Sequence, residues 1–261
     1  MTTSFARLSD FLSTDVDWDD SEDDDTMWRV GDFASSLVRR NPSLVQERMA
    51  EISRSRSLMD ELVPHSEFPH RRRDKFVLFR DPGERFVVRL HRFHPCGSTD
   101  TEYGPIHNHR YPGVTVLLRG AYQERVYTEV ARDDARRTAD LTLDEERVLA
   151  GGQVDVKGWR TAHQVRNVSP DQAAFTLFVR GPSLRRFSHI YDLDNGTFMD
   201  TAGAHDLARV GFLTAMMGSA AVRSRHDAMR FIGPADQWSE RYDVMMRVAE
   251  GQGFPPPGTA P

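Results

Sequence analysis

Between residues 75 and 192 the sequence breaks into short β-forming runs separated by turn-forming clusters, and this punctuation limits the fold more than any other feature. The runs are KFVLFR (75–80), RFVVRLHRF (85–93), VTVLLRG (114–120), AYQERVYTEV (121–130), AHQVRNV (162–168) and AAFTLFVRG (173–181). Between them stand DPGE, HPCGSTD, RDDARR, GGQ, VKGW and SPDQ. Many short strands spaced by Gly, Pro, Asp and Ser indicate an all-β sandwich or barrel. Asp81-Pro82-Gly83 and Ser169-Pro170-Asp171-Gln172 have the composition of hairpin corners.

The flanks have a different period. Over 27–63, Phe33, Leu37, Val38, Leu44, Met49, Ile52, Leu58, Leu62 and Val63 recur at three- and four-residue steps, with Asn41-Pro42-Ser43 dividing two helices. Residues 203–251 return to that spacing through Leu207, Val210, Leu213, Met216 and Met217, then Tyr242, Val244, Met245 and Val248. The expected organisation is an acidic flexible N-terminus over 1–26, N-terminal helices over 27–74, a barrel over 75–200, a C-terminal helical extension over 201–251 and a disordered tail over 252–261. The acidic segment is DVDWDDSEDDD (15–25), a block of the kind usually solvated. The helical ends are expected to pack on the barrel or form a contact between copies, giving a monomer or a homodimer.

Charge and cysteine content narrow the class. A net charge of −5 argues against nucleic acid as a partner, since such proteins present a basic face. No apolar run approaches a membrane span, no signal segment opens the chain, and its one cysteine, Cys96, excludes an internal disulfide. These features predict a soluble cytoplasmic protein with no membrane partner. The chain has no G-x-G-x-x-G, Walker or H-E-x-x-H pattern and no nucleophile elbow.

The stretch GPIHNHRYPGVTVLLRG (104–120) carries His107 and His109 one residue apart. On a strand, residues i and i+2 share a face, so both imidazoles can reach one metal ion. Two ordinary surface histidines would read the same way. Two ligands are too few, and His163, in the β-type run AHQVRNV, is the best candidate for a third. His65, His70, His205 and His226 lie in polar or helical stretches and read as surface residues.

G-P-I-H-N-H followed by Gly120, with H-Q-V-R-N further on, resembles the two motifs of the cupin superfamily. The glutamate ligand of the usual first motif falls here on Gly113 or Val114, which leaves three histidines. That departure resembles the thiol dioxygenases of the cysteine dioxygenase type. FRDPGERF (79–86), HQVRNVSPDQAAFTLFVRGP (163–182) and HIYDLDNG (189–196) are similar to further segments of that family, and the likeness covers roughly 75–197. It implies a mainly β fold, a single cupin β-barrel (jelly-roll) with N-terminal and C-terminal α-helical additions. It also implies Fe(II), or another divalent metal, on His107, His109 and His163, with O2 as co-substrate.

The same resemblance assigns the pocket. Arg80 matches the arginine that holds the substrate carboxylate. Arg89, His91 and Phe93 fall on the inward face of their strand, with Arg89 and His91 toward substrate. Gly113 and Thr115 follow the histidines inward, and Gly113 stands where some members carry a crosslinking cysteine, leaving space beside the metal. The family's inward Ser, His and Tyr of the return strand are replaced by Thr176, Phe178 and Arg180. Tyr191 is expected at the barrel mouth or in structural packing. Buried guanidiniums at Arg80, Arg180 and Arg89 need anions, from Glu124 or from a substrate more negative than cysteine. The expected function is oxygenation of a small anionic substrate bearing a thiol or a carboxylate. The alternatives are an oxygenase of a non-thiol acid and a cupin that binds a small anion without turnover.

Overall fold

The computed structural model describes residues 4–67, 72–96 and 103–201. Four helices come first: α1 (Ser4–Thr14), α2 (Asp24–Arg40), α3 (Leu44–Arg54) and α4 (Arg56–Leu62). Eleven strands follow: β1 (Arg73–Arg80), β2 (Val87–Phe93), β3 (Ile106–His107), β4 (Gly113–Arg119), β5 (Ala121–Asp133), β6 (Thr138–Ala150), β7 (Val154–Lys157), β8 (Ala162–Asn167), β9 (Ala174–Arg180), β10 (Ser188–Asp192) and β11 (Thr197–Thr201). The expected C-terminal helices and tail lie outside the described residues.

Within the segment expected to be a flexible acidic N-terminus, Ser4–Thr14 form α1 and the α2 helix begins at Asp24. Phe5, Leu8 and Leu12 recur on one side of α1 and are buried, and the Trp18 indole N–H donates to the Leu12 carbonyl at 2.7 Å. The acidic block has a structural use as well. Asp23 caps α2, accepting from the Asp25 N–H at 3.2 Å, and Asp24 and Asp25 occupy the first turn while Arg39 and Arg40 occupy the last. That charge order complements the helix dipole.

The strands form two antiparallel sheets. One runs β1-β2-β9-β4-β7; the other runs β10-β11-β6-β5-β8-β3 and closes on itself through β3–β10 pairing. This is the mainly β barrel with N-terminal helical additions that the sequence suggested. The helices cover the outer face of the first sheet, where Val88 and Leu90 of β2, Leu177 and Val179 of β9, and Val114 and Val116 of β4 join the helical core. Gly31 of α2 shows how close that layer lies, since a Cβ there would sit 2.5 Å from Val154 Cγ1. Arg48 of α3 ties the layers further, its Nε donating to the Leu78 carbonyl at 2.9 Å.

Covering one face of the first sheet leaves its alternate residues to point into the barrel. In register across three strands, Arg89 sits beside Phe178 and Phe178 beside Thr115; Val87 sits beside Arg180 and Arg180 beside Gly113. Both faces of β2 are therefore buried, one against helices and one against the barrel interior.

Candidate metal centre

The histidines meet where β3 is pinned to β8. β3 is only two residues long, and its His107 pairs with His163 of β8. His109 does not lie on a strand as the sequence suggested; it follows β3 in extended loop. Asn108 fixes the intervening turn of chain, its Oδ1 accepting from the His189 N–H at 2.7 Å and its amide donating to the Tyr191 hydroxyl at 2.7 Å. His107 and His109 thereby face inward together. One ligating atom from each of His107, His109 and His163 falls within 4.8 Å of the others, and the rings of His109 and His163 approach to 2.9 Å between Nε2 atoms.

These residues fit a divalent metal on grounds of their own hydrogen bonds. The His107 Nδ1–H donates to the Pro105 carbonyl at 2.9 Å, and the His163 Nδ1–H donates to Glu124 Oε1 at 2.6 Å. Each bond fixes the tautomer that leaves an Nε2 lone pair for a metal. Bonds of about 2.1 Å to one ion span nitrogens up to about 4.2 Å apart, so closing the widest separation needs a small ring rotation. Burial lowers the His107 pKa to about 4 and holds His109 and His163 well below the ordinary imidazole value. The rings are neutral at physiological pH, as ligation requires.

Glu124, fully enclosed, anchors a charged network behind His163. It also accepts from Lys157 Nζ at 3.0 Å and Arg147 Nη2 at 2.8 Å, while Asp155 shares both of those cations. The carboxylate thus compensates these cations rather than Arg89 or Arg180.

The histidines open onto a cavity of about 350 Å³, the size of a small-molecule site. Among the described residues, eight Lys and Arg side chains line it against three carboxylates. Arg89, Arg180, His91, Phe93, Gly113, Thr115 and Phe178 all reach this wall. Phe178 stacks on His91 at 4.8 Å between ring centroids and fills the space that Gly113 was expected to leave, with ring atoms 2.8 Å from where a Gly113 Cβ would stand.

Arg80, Thr176 and Tyr191 are not among the cavity residues. Arg80 ends β1 at the hairpin, where Glu84, in left-handed conformation (φ 60°), reaches back to its guanidinium, and its Nη1 donates to His65 Nε2 at 3.3 Å. Thr176 is fully buried between His91 and Leu117 in the sheet register. Tyr191 is turned toward Asn108 and donates to Glu129 at 2.8 Å, packed with Ile106, Tyr127 and Phe198.

Sequence reasoning missed Arg73, Lys75 and Tyr111. Arg73 and Lys75 alternate along β1 and pair with Phe93 and His91, both cavity residues, so strand period alone carried the signal. Tyr111 lies two residues past His109, with ring centroids 5.3 Å apart, and the Arg180 guanidinium sits 5.1 Å from its ring centre. Burial pushes the Tyr111 phenol up, but Arg89, Lys75, Arg180 and Arg73 together pull it below its ordinary value.

Fold and site together define a β-barrel with a three-histidine cluster facing a cationic cavity. No protein-family model matches the sequence, and no curated protein matches it. Solved structures to which the chain is similar include KdgF from Halomonas sp., 16% identical over 45% of this chain and 86% of that one, TM-score 0.32. The protein TT1209 from Thermus thermophilus is 24% identical over 45% and 90%, TM-score 0.32. Hydroxypropylphosphonic acid epoxidase from S. wedmorenis is 13% identical over 42% and 51%, TM-score 0.31. These three likenesses are loose and each covers under half of this chain, so the description of the fold rests on the strand order and register above. No described helix is long and apolar enough to cross a membrane.

Proposed function

We propose that this barrel is a metal-dependent oxygenase of a small anionic substrate, with Fe(II) held by His107, His109 and His163 and O2 as co-substrate. The observation that carries the reading is the convergence of three neutral imidazoles inside a cavity lined mostly by cations. Fe(II), when bound there, would supply the redox chemistry by which O2 is reduced at the expense of the substrate. Neutral ligands leave its charge for the substrate anion to offset.

The chain's own residues handle binding and proton placement. Arg89 and Arg180 attract and orient the anion, as paired guanidiniums do for carboxylate and phosphate. Phe93 and Phe178 keep that wall apolar between the cations and limit water. The Tyr111 hydroxyl can hold a proton beside His109 and donate it to a substrate oxygen.

The resemblance to the cysteine dioxygenase type supports a thiol substrate. Three features of the cavity favour a non-thiol acid instead: Arg80 is engaged outside it, and Phe178 and Arg180 occupy the return strand in place of a hydrogen-bonding chain. Protein loaded anaerobically with Fe(II) and then given O2 should consume oxygen with a small acid in the oxygen electrode. Uptake with thiols alone would restore the thiol reading. Anion binding with no uptake from any thiol or acid would leave a non-catalytic anion-binding cupin.

A further inference from the structure

Two of the three imidazoles are held at the nitrogen that faces away from the cluster. His107 Nδ1 is bonded to the Pro105 carbonyl and His163 Nδ1 to Glu124. No described residue bonds Nδ1 of His109. His109 also lies past the end of β3, so no strand pairing fixes its main chain. A ligand ring needs some such restraint to stay in one orientation. For His109 the restraint has to reach the ring through the backbone.

The connection between β9 and β10, residues 181–187, supplies it. This segment runs beside residues 108–112 and grips them at successive points. The Gly181 N–H donates to the Pro112 carbonyl at 2.9 Å and the Leu184 N–H to the Arg110 carbonyl at 2.8 Å. Arg110 Nη1 donates back to the Arg186 carbonyl at 3.3 Å. At His109 itself the grip comes from a side chain. Arg185 donates to the His109 carbonyl from Nε at 3.1 Å and from Nη2 at 2.8 Å. Two charge-assisted donors on one oxygen set direction as well as distance. Nη2 also donates to the Trp159 carbonyl at 3.3 Å, and the guanidinium carbon lies 4.9 Å from the centre of the Trp159 ring. That cation–π contact and the second carbonyl keep Arg185 from swinging away. Arg185 does not line the histidine cavity, so its place is behind the ligand and not against the substrate.

We propose that Arg185 is a positioning residue of the metal centre: braced on Trp159, it clamps the His109 carbonyl and so holds the His109 ring against His107 and His163. This rests on the reading of the three histidines as a metal site.

The test uses the full-length protein with two measurements. Competition with a chromophoric chelator gives Zn(II) affinity. Proton–nitrogen spectra of histidine-labelled, metal-free protein report each imidazole, with the His109 signals assigned by their loss in His109→Ala. Arg185→Ala should bind Zn(II) about tenfold or more weakly than wild type. In the metal-free spectra its His109 signals should shift or broaden while those of His107 and His163 stay in place. Arg185→Lys keeps one charged donor and should fall between wild type and Arg185→Ala. Arg160→Ala should match wild type, since Arg160 stacks on the same Trp159 ring at 4.5 Å but bonds no residue of the histidine loop. Should Arg185→Ala fail to fold, Arg185→Gln and Arg185→Lys carry the same comparison. Wild-type Zn(II) affinity in Arg185→Ala overturns the proposal, as does an equal disturbance of all three imidazoles or an equal loss in Arg160→Ala. In each of these outcomes wild type still binds Zn(II), and the metal centre stands. Wild-type protein that binds no Zn(II) removes the metal centre, and the role of Arg185 with it.

Discussion

Glu124 Oε1 lies 2.6 Å from His163 Nδ1, and both side chains are buried. The carboxylate thereby selects the tautomer of His163 that points Nε2 at His107 and His109. Replacing it by its isosteric amide keeps the shape but removes the charge that holds the imidazole N–H and offsets Lys157 and Arg147. Glu124→Gln should lower metal affinity by about 10–100-fold. Competition between the protein and a chromophoric chelator for Zn(II) measures this directly. Unchanged affinity, in a variant whose circular dichroism matches wild type, would mean that the hydrogen bond does not tune the site.

Metal binding should also appear in stability. A ligand that binds only the folded state stabilises it by about 2.7 kcal/mol at a hundredfold excess over its Kd. Wild-type protein should therefore melt several degrees higher with Zn(II) or with Fe(II) under nitrogen than with a chelator. His107→Ala and His163→Ala should lose that difference, because two imidazoles of the cluster remain and two are too few. Retention of the full shift in His107→Ala would place the metal elsewhere.

How much of this was legible depended on whether a local rule governed the residue. Strand period 2 sends Arg89, His91 and Phe93 to the side opposite Val88 and Leu90, and the structure has that division because helices cover one face of the sheet. The same rule applied to β1 puts Arg73 and Lys75 on the cavity side, whereas Arg80 was assigned through the family resemblance alone. The position of Arg80 was not readable, since it depends on Glu84 adopting a left-handed backbone and folding back. The local role of the acidic N-terminal block was not readable for a related reason. Composition sees its charges but not that Asp23 caps a helix, or that Phe5, Leu8 and Leu12 are buried in the core beside it. His107 and His109 were read as sharing one strand, with His163 on a neighbour; His163 does pair with His107 across β3 and β8, whereas His109 lies past the two-residue β3, beyond Asn108 and its bonds to His189 and Tyr191.

Gly113 and Phe178 form a matched pair. A Cβ at 113 would meet Phe178 Cε2 and Cζ at 2.8 Å, so the ring must shift in Gly113→Ala. That shift would also disturb the stacking of Phe178 on His91. Overpacking of this kind costs about 1–3 kcal/mol. Urea denaturation should show a loss of that size in Gly113→Ala and a partial recovery when Phe178→Leu is added. Equal stability of wild type and Gly113→Ala would show that the aromatic wall is loose there.

The buried imidazoles predict the acid limb of stability. Burial, reinforced by Arg73, Lys75 and Arg89, holds His91 well below its ordinary value; burial also lowers His107 to about 4, and His109 and His163 well below theirs. Unfolding returns each ring to about 6.5. Below that pH the unfolded chain binds more protons than the folded one, so stability falls as pH drops. It is complete above about 6.5, and the His107 contribution continues to be lost until pH reaches about 4. Each such histidine adds a slope of up to about 1.4 kcal/mol per pH unit. In metal-free protein, His91→Gln should flatten the slope between pH 6.5 and pH 5 by roughly one histidine's share. Urea midpoints measured across that range provide the check, and a slope identical to wild type would mean that His91 is already protonated in the folded barrel.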